Sequence, residues 1–248
     1  MRFHSLLLLA CLCAPAWAWT DSGGFGESIN KGELLYQSDM NEPASVDGWV
    51  MEGPGVLGFG NGWMQMHSPG EKMHHVFWCP LDFPDSFVAE WEAQNLNPDA
   101  GLVIVFFAAA GEDQRDIFDP ALPARDGTFE QYTLGKIRSY HISYYANAEH
   151  NPDRGHANLR KNNTFTLLQE GAEGISTGST NIHKIRLVKE GARIAMYIDG
   201  REIIDHIDEG DNGPVLGAGK IGFRQMKWTR FQYRNFKVWS INPHLAQG

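Results

Sequence analysis

Cysteine is scarce in this sequence, with three in 248 residues, at positions 11, 13 and 79. The first two fall in MRFHSLLLLACLCAPAWA (1–18), where a basic residue, a short apolar run and small residues at Ala16 and Ala18 spell a secretory signal cut after Ala18. Residues 1–18 are expected to leave, and 19–248 to be exported, to the periplasm or the medium. Cys79 then remains as a lone thiol, which excludes an internal disulfide. Between apolar neighbours in VFWCP it reads as a small buried hydrophobe rather than a nucleophile. Beyond the leader no apolar run approaches the roughly 20 residues of a membrane helix, so no membrane insertion is expected. Positive charge is short too: the 21 basic residues lose Arg2 with the leader, leaving 20 against 30 acidic. Nucleic acid and anionic membrane surfaces are therefore poor partners. Nor does any interior segment carry a sustained 3.6-residue apolar stripe.

Strand signal is what the sequence does hold. Short runs rich in Val, Ile, Phe, Tyr and Trp recur between Gly, Pro, Asn and Asp clusters, an all-β pattern. Residues 87–94, 101–109, 139–145, 165–170, 183–190, 219–226 and 233–241 read as strands. Asp199-Gly200, between alternating residues in ARIAMYIDGREIIDHI, reads as a type I′ hairpin turn. A 42% hydrophobic fraction supplies a core and sets disorder aside. With no repeat, low-complexity tract or linker, 19–248 is expected to form one domain. A sandwich of two antiparallel sheets is the natural way to bury this many strands.

The most informative stretch is YHISYYANAEHNPDRGHANLRK (140–161). His141, Ser143 and Tyr145 alternate, and so do His156, Asn158 and Arg160; period two is the strand period. Closing a hairpin at residues 146–155 sets Tyr145 against His156, Ser143 against Asn158 and His141 against Arg160, all on one face. The region is also locally basic, with Lys136, Arg138, Arg154, Arg160 and Lys161 against Glu149 and Asp153. Such a strip on an acidic protein suits a substrate with isolated carboxylates. In KIGFRQM, Ile221 and Phe223 face the core by alternation, leaving Gly222 and Arg224 opposite, where Gly222 would let a ligand approach the backbone.

Residues 111–131 form a long connection with six acidic and two basic residues, of the kind that is often functional. Asp113, Asp116 and Asp119 leave room for a structural calcium ion, though the ligand alternation of an EF-hand loop is missing. No cofactor is required by anything else in the chain.

The ordered motifs HHVFWCP (74–80), FFAAAGEDQRDIFDP (106–120), YHISYY (140–145), HANLRK (156–161) and GKIGFRQM (219–226) resemble the YesU-like proteins, over nearly all of 19–248. That resemblance implies a concanavalin A-like jelly roll. It also implies a setting among genes for degrading pectin-like and other uronate-containing polysaccharides, without a defined reaction. Extended saccharides usually lie on one sheet face of such a fold, and the triplets would occupy it. The candidacy of Gln225 rests on the resemblance alone.

Three chemistries follow. β-Elimination beside a uronate needs the carboxylate neutralised, a base and an acid. Arg160 and Asn158 suit neutralisation, with Ser143, Lys161 and Arg224 as further substrate contacts. His141 or His156 would be the base, His141 being favoured because it opposes Arg160, and Tyr145 the acid. A lectin-like binding protein would instead use Trp228 and Trp63 to stack on sugar rings. A glycoside hydrolase needs two carboxyls, and the nearest pair is Glu90 and Glu92 in AEWEA.

Overall fold

The computed structural model describes residues 29–70, 74–148, 152 and 154–242. The expected leader lies outside the described residues. Those that are described form fifteen strands: β1 (Lys31–Ser38), β2 (Val50–Glu52), β3 (Val56–Gly60), β4 (Trp63–His67), β5 (His75–Phe83), β6 (Phe87–Asn95), β7 (Gly101–Gly111), β8 (Ile137–Asn147), β9 (His156–Asn162), β10 (Thr166–Glu173), β11 (Ile182–Glu190), β12 (Arg193–Ile198), β13 (Arg201–Ile207), β14 (Gly219–Gln225) and β15 (Arg230–Ile241). A single turn of helix, α1 (Glu130–Thr133), precedes β8. Among the described residues no helix is long and apolar enough to cross a membrane.

All pairings are antiparallel and fall into two sheets. One has eight strands in the order β13, β12, β11, β6, β15, β4, β3, with β1 also paired to β15. The other has seven, in the order β10, β9, β8, β7, β14, β5, β2. This is the two-sheet sandwich that the strand pattern predicts and the jelly roll that the resemblance implies. The sheets bury aromatics between them: Phe223 stacks on Trp49 with centroids 6.1 Å apart and meets Trp91 edge-on at 5.3 Å. Each such side chain adds about 1.5–3 kcal/mol on burial. Cys79 lies in this core, its thiol pushed up to about 12 by burial. The β12–β13 hairpin turns at Asp199 (φ 53°) and Gly200 (φ 81°), the positive angles of a type I′ turn.

A second apolar cluster sits on the outer face of the seven-stranded sheet. The long 111–131 connection folds back over this face, where Ile117 and Tyr132 pack on Val76, Trp78, Ile104 and Phe106. Glu52 anchors the segment by a buried pair with Arg125 at 2.6 Å and by accepting from Trp78 Nε1 at 2.9 Å. The three aspartates considered for calcium are engaged by cations, Asp113 and Asp119 near Arg115 at 3.5 and 4.0 Å and Asp116 on Lys220 at 3.0 Å. Among the described residues no three acidic, His or Cys side chains gather to hold a metal ion. Gly222 serves the protein itself: a Cβ there would lie 2.4 Å from Cε3 of Trp78, so the tryptophan ring, and not a ligand, occupies the space.

Candidate functional site

The predicted register is present between β8 and β9, with Ser139 opposite Asn162, His141 opposite Arg160 and Ser143 opposite Asn158. Neighbouring strands extend these pairs into rows across the outer face. One row carries Arg224, Ile104, Ser143 and Asn158, and the next Gly222, Phe106, His141 and Arg160. Successive rows are roughly 7 Å apart along the strands.

Three expectations need correcting. The β7–β8 ladder slips by one residue, Ile104 facing Ser143 but Val103 facing Tyr145. That bulge turns Tyr145 into the core, its ring 5.1 Å from Phe231 and its hydroxyl near the Pro98 and Thr177 carbonyls, so it is no catalytic acid on this face. Lys161 alternates inward, donating to Asp208 Oδ2 at 2.7 Å and to the Gly213 carbonyl at 2.6 Å, and is spent between the sheets. Gln225 also points inward and donates to Tyr233 Oη at 3.0 Å.

The hydrolase pair is likewise engaged, Glu90 by Lys31 and Arg186 at 2.6 and 2.8 Å, and Glu92 by Arg234 at 2.6 Å. Trp63 is buried beneath Arg234, whose guanidinium lies 4.1 Å from its ring.

What remains on the face converges on His141. Its ring is 2% exposed and lies among Phe106, Phe129 and Phe165 at centroid distances of 5.3, 6.2 and 5.9 Å. Asn162 Nδ2 stands 3.0 Å from both Ser139 Oγ and His141 Nδ1. With the amide nitrogen facing it, Nδ1 accepts and the ring proton sits on Nε2, which makes His141 a donor rather than the expected base. Burial first, then Arg160 and Arg224, lower its pKa to about 3, so the imidazole is neutral at physiological pH.

Three arginines surround this ring. Arg224 is fully buried, with Phe129 4.4 Å from its guanidinium carbon and one bond from Nη2 to the Gly127 carbonyl at 3.2 Å. Its Nε and Nη1 have no partner. Burial lowers its pKa to about 10, still charged at neutrality. Arg160 donates from Nη1 to the Phe165 carbonyl at 3.0 Å and lies 4.2 Å from that ring. Arg154 donates from Nη2 to Ser143 Oγ at 2.8 Å, and its Nε is buried without a partner. Among the described residues none of the three makes an ion pair within 4.0 Å. Asn158 Oδ1 is a further buried acceptor without a partner. His156 sits at the rim, about a third exposed, 3.8 Å from Glu170. Trp228 is half-exposed on the turn between β14 and β15.

Sequence reasoning missed Arg154, Asn162, Phe129 and Phe165 as site residues. Asn162 was within reach, since it continues the alternation of Asn158 and Arg160. The others come from connections, which carry no periodicity.

Comparison with known proteins agrees with this architecture. A crystal structure titled as a protein of unknown function with a galectin-like fold, from Bacillus subtilis, superposes with a TM-score of 0.82 at 34% identity, covering 86% of this chain and 98% of that one. Two more distant sandwiches share the fold alone. The carbohydrate-binding module CBM66 from Bacillus subtilis has a TM-score of 0.51 at 14% identity, over 82% of this chain and 98% of its own. The VIP36 exoplasmic/lumenal domain in its Ca2+/Man3GlcNAc-bound form has 0.58 at 10%, over 85% and 91%. The protein is thus a galectin-like β-sandwich. A family model described as a domain of unknown function, DUF1961, matches residues 33–238. The uncharacterized protein YesU of Bacillus subtilis (strain 168) is 36% identical over 213 residues, 84% of this chain and 96% of that protein. The chain belongs to this YesU-like family.

Proposed function

We propose that the outer face of the seven-stranded sheet binds a uronate-containing oligo- or polysaccharide, gripping a sugar carboxylate between Arg224, Arg160 and Arg154. The observation that carries this reading is the clustering of three guanidiniums, buried or half-buried, with no carboxylate within 4.0 Å among the described residues and three N–H groups unpartnered. A buried charge is costly unless paired, and a ligand carboxylate repays that cost with charge-assisted, fork-shaped hydrogen bonds. The neutral His141 Nε2–H, together with Asn158 Oδ1, then offers a donor and an acceptor to sugar hydroxyls. Glycan binding is in keeping with the printed descriptions of the carbohydrate-binding module and the mannoside-bound VIP36 domain, which share the sandwich. Export through the leader at 1–18 belongs to the same proposal, since it would bring the site to extracellular polysaccharide.

β-Elimination is the second reading. The same arginines that bind a carboxylate would acidify the proton beside it, and solvent-facing His156 is the histidine left to remove it. The leaving oxygen would take its proton from solvent.

One experiment tests both: titration calorimetry and ultraviolet absorbance with pectic, alginate-derived, ulvan-derived and glycosaminoglycan oligosaccharides. Binding of a uronate series, with no affinity for its neutral counterpart, is expected. Absorbance from a new conjugated double bond would establish elimination, and binding without it a lectin-like role. Failure of every uronate to bind would overturn the proposal.

A further inference from the structure

The outer face continues past the arginine rows. Leu102 lies opposite Ala146, and Met226 N donates to the Leu102 carbonyl at 3.0 Å, which makes Met226, Leu102 and Ala146 the next row beyond Arg224, Ile104 and Ser143. Where this row ends, a cavity of about 660 Å³ opens, with Asp99, Asn147, Pro152, Lys227 and Trp228 in its wall.

Trp228 is there at a conformational cost. The turn closes with Thr229 N donating to the Met226 carbonyl at 3.2 Å, and its third residue, where positive φ makes glycine or asparagine the ordinary occupant, is Trp228 with φ 69°. A bulky residue in the left-handed region is an outlier that the surroundings must enforce. They do so here: Asn97 Nδ2 donates to the Trp228 carbonyl at 2.8 Å, and Leu102 N to Thr229 Oγ1 at 2.8 Å. Gly101 makes room for this clamp, since a Cβ there would stand 2.7 Å from Thr229 Oγ1. Yet the indole that all this holds is 49% exposed. Core packing would have buried it, and turn formation would have favoured glycine. A rigid, presented aromatic face is what a sugar ring stacks on.

We infer that this cavity is a second subsite, taking the ring of the sugar linked to the carboxylate-bearing unit and stacking it on Trp228. The inference rests on the uronate reading above and sets the smallest fully bound ligand at a disaccharide. The charged group stays at the arginines, and the indole, with Lys227 Nζ 5.9 Å from its ring centroid, offers an apolar face to the neighbouring ring.

The test is a calorimetric length series with the full exported chain, using the monosaccharide, disaccharide and trisaccharide of whichever uronate binds best in the panel above. Wild type should gain roughly three- to tenfold in affinity from monomer to disaccharide. Trp228→Gly should lose that gain while keeping the monomer affinity, and its melting temperature should hold or rise as the backbone strain is relieved. Trp228→Phe should keep part of the gain. A length dependence intact in Trp228→Gly overturns the subsite, as does a loss accompanied by a clearly lower melting temperature, which would make the indole structural. Equal affinity of wild type for monomer and disaccharide defeats the subsite alone. No binding of any uronate defeats the uronate reading and the subsite with it.

Discussion

His141 and Arg160 stand directly opposite each other on neighbouring strands, and the ring of Phe165 lies against both, 5.9 Å from the imidazole and 4.2 Å from the guanidinium. Phe165, at φ 56° in the turn between β9 and β10, meets Phe129 edge-on at 5.4 Å, and the two rings cover part of the charged rows. A guanidinium held in such a place is oriented as well as charged. Replacing Arg160 by Lys keeps the charge and removes the planar fork, so affinity for a uronate oligosaccharide should fall by about tenfold, with little change in melting temperature. Calorimetry beside a thermal melt checks this, and equal affinity in the variant would place the carboxylate elsewhere.

Arg224 offers a sharper contrast. It is a buried cation with two unpartnered N–H groups, so an apolar side chain of similar length costs the fold little and can even stabilise it. Arg224→Met should therefore retain or raise the melting temperature while uronate affinity drops roughly 10- to 100-fold. A variant that unfolds but, where folded, binds normally would make Arg224 purely structural.

Acid should destabilise the protein through its buried histidines. His141 and His75 are both held at about 3, each by burial first, with Arg160 next for His141 and Arg224 next for His75. In the unfolded chain each ring takes up a proton below about 6.5. Because the folded pKa is depressed, their contribution is complete above that pH and is lost as the pH falls toward 3, at about 1.4 kcal/mol per pH unit for each ring. Urea unfolding between pH 7 and 4.5 should show this slope, and His141→Gln should flatten it. A slope unchanged in the variant would mean that the ring is already protonated in the folded state.

Lys161 separates charge that reads a ligand from charge that holds the fold. Removing it by Lys161→Met leaves Asp208 buried without its cation, at a cost of roughly 3–5 kcal/mol. Oligosaccharide affinity of the protein that remains folded should match wild type. A selective loss of affinity at unchanged stability would return Lys161 to the site.

Much of this was legible in the chain. Alternation marked the strands from Phe87 onward, the Asp199-Gly200 hairpin and the pairing of His141 with Arg160. The five strands before Phe87 were not marked, because runs such as VLGFG and KGELLYQS are short, glycine-bearing or half-exposed and show no clean alternation. Tyr145 was misassigned because a bulge leaves no trace in composition: two adjacent tyrosines both turn inward where strict alternation allows one. Lys161 stood out of phase with Asn158 and Arg160, but its partner Asp208 lies 47 positions away, and no local pattern reports it.

The sequence by itself determined what depends on neighbours along the chain: an all-β sandwich and, away from bulges, which side chains of a strand share a face. These follow from the two-residue period of a strand, which holds wherever no bulge interrupts it. Tertiary structure alone decided which arginines remain unpaired, that the 111–131 segment covers the outer face, and that Gly222 makes room for Trp78. Burial and charge pairing are set by segments that meet only after folding, so their energies have no expression in any local stretch of sequence.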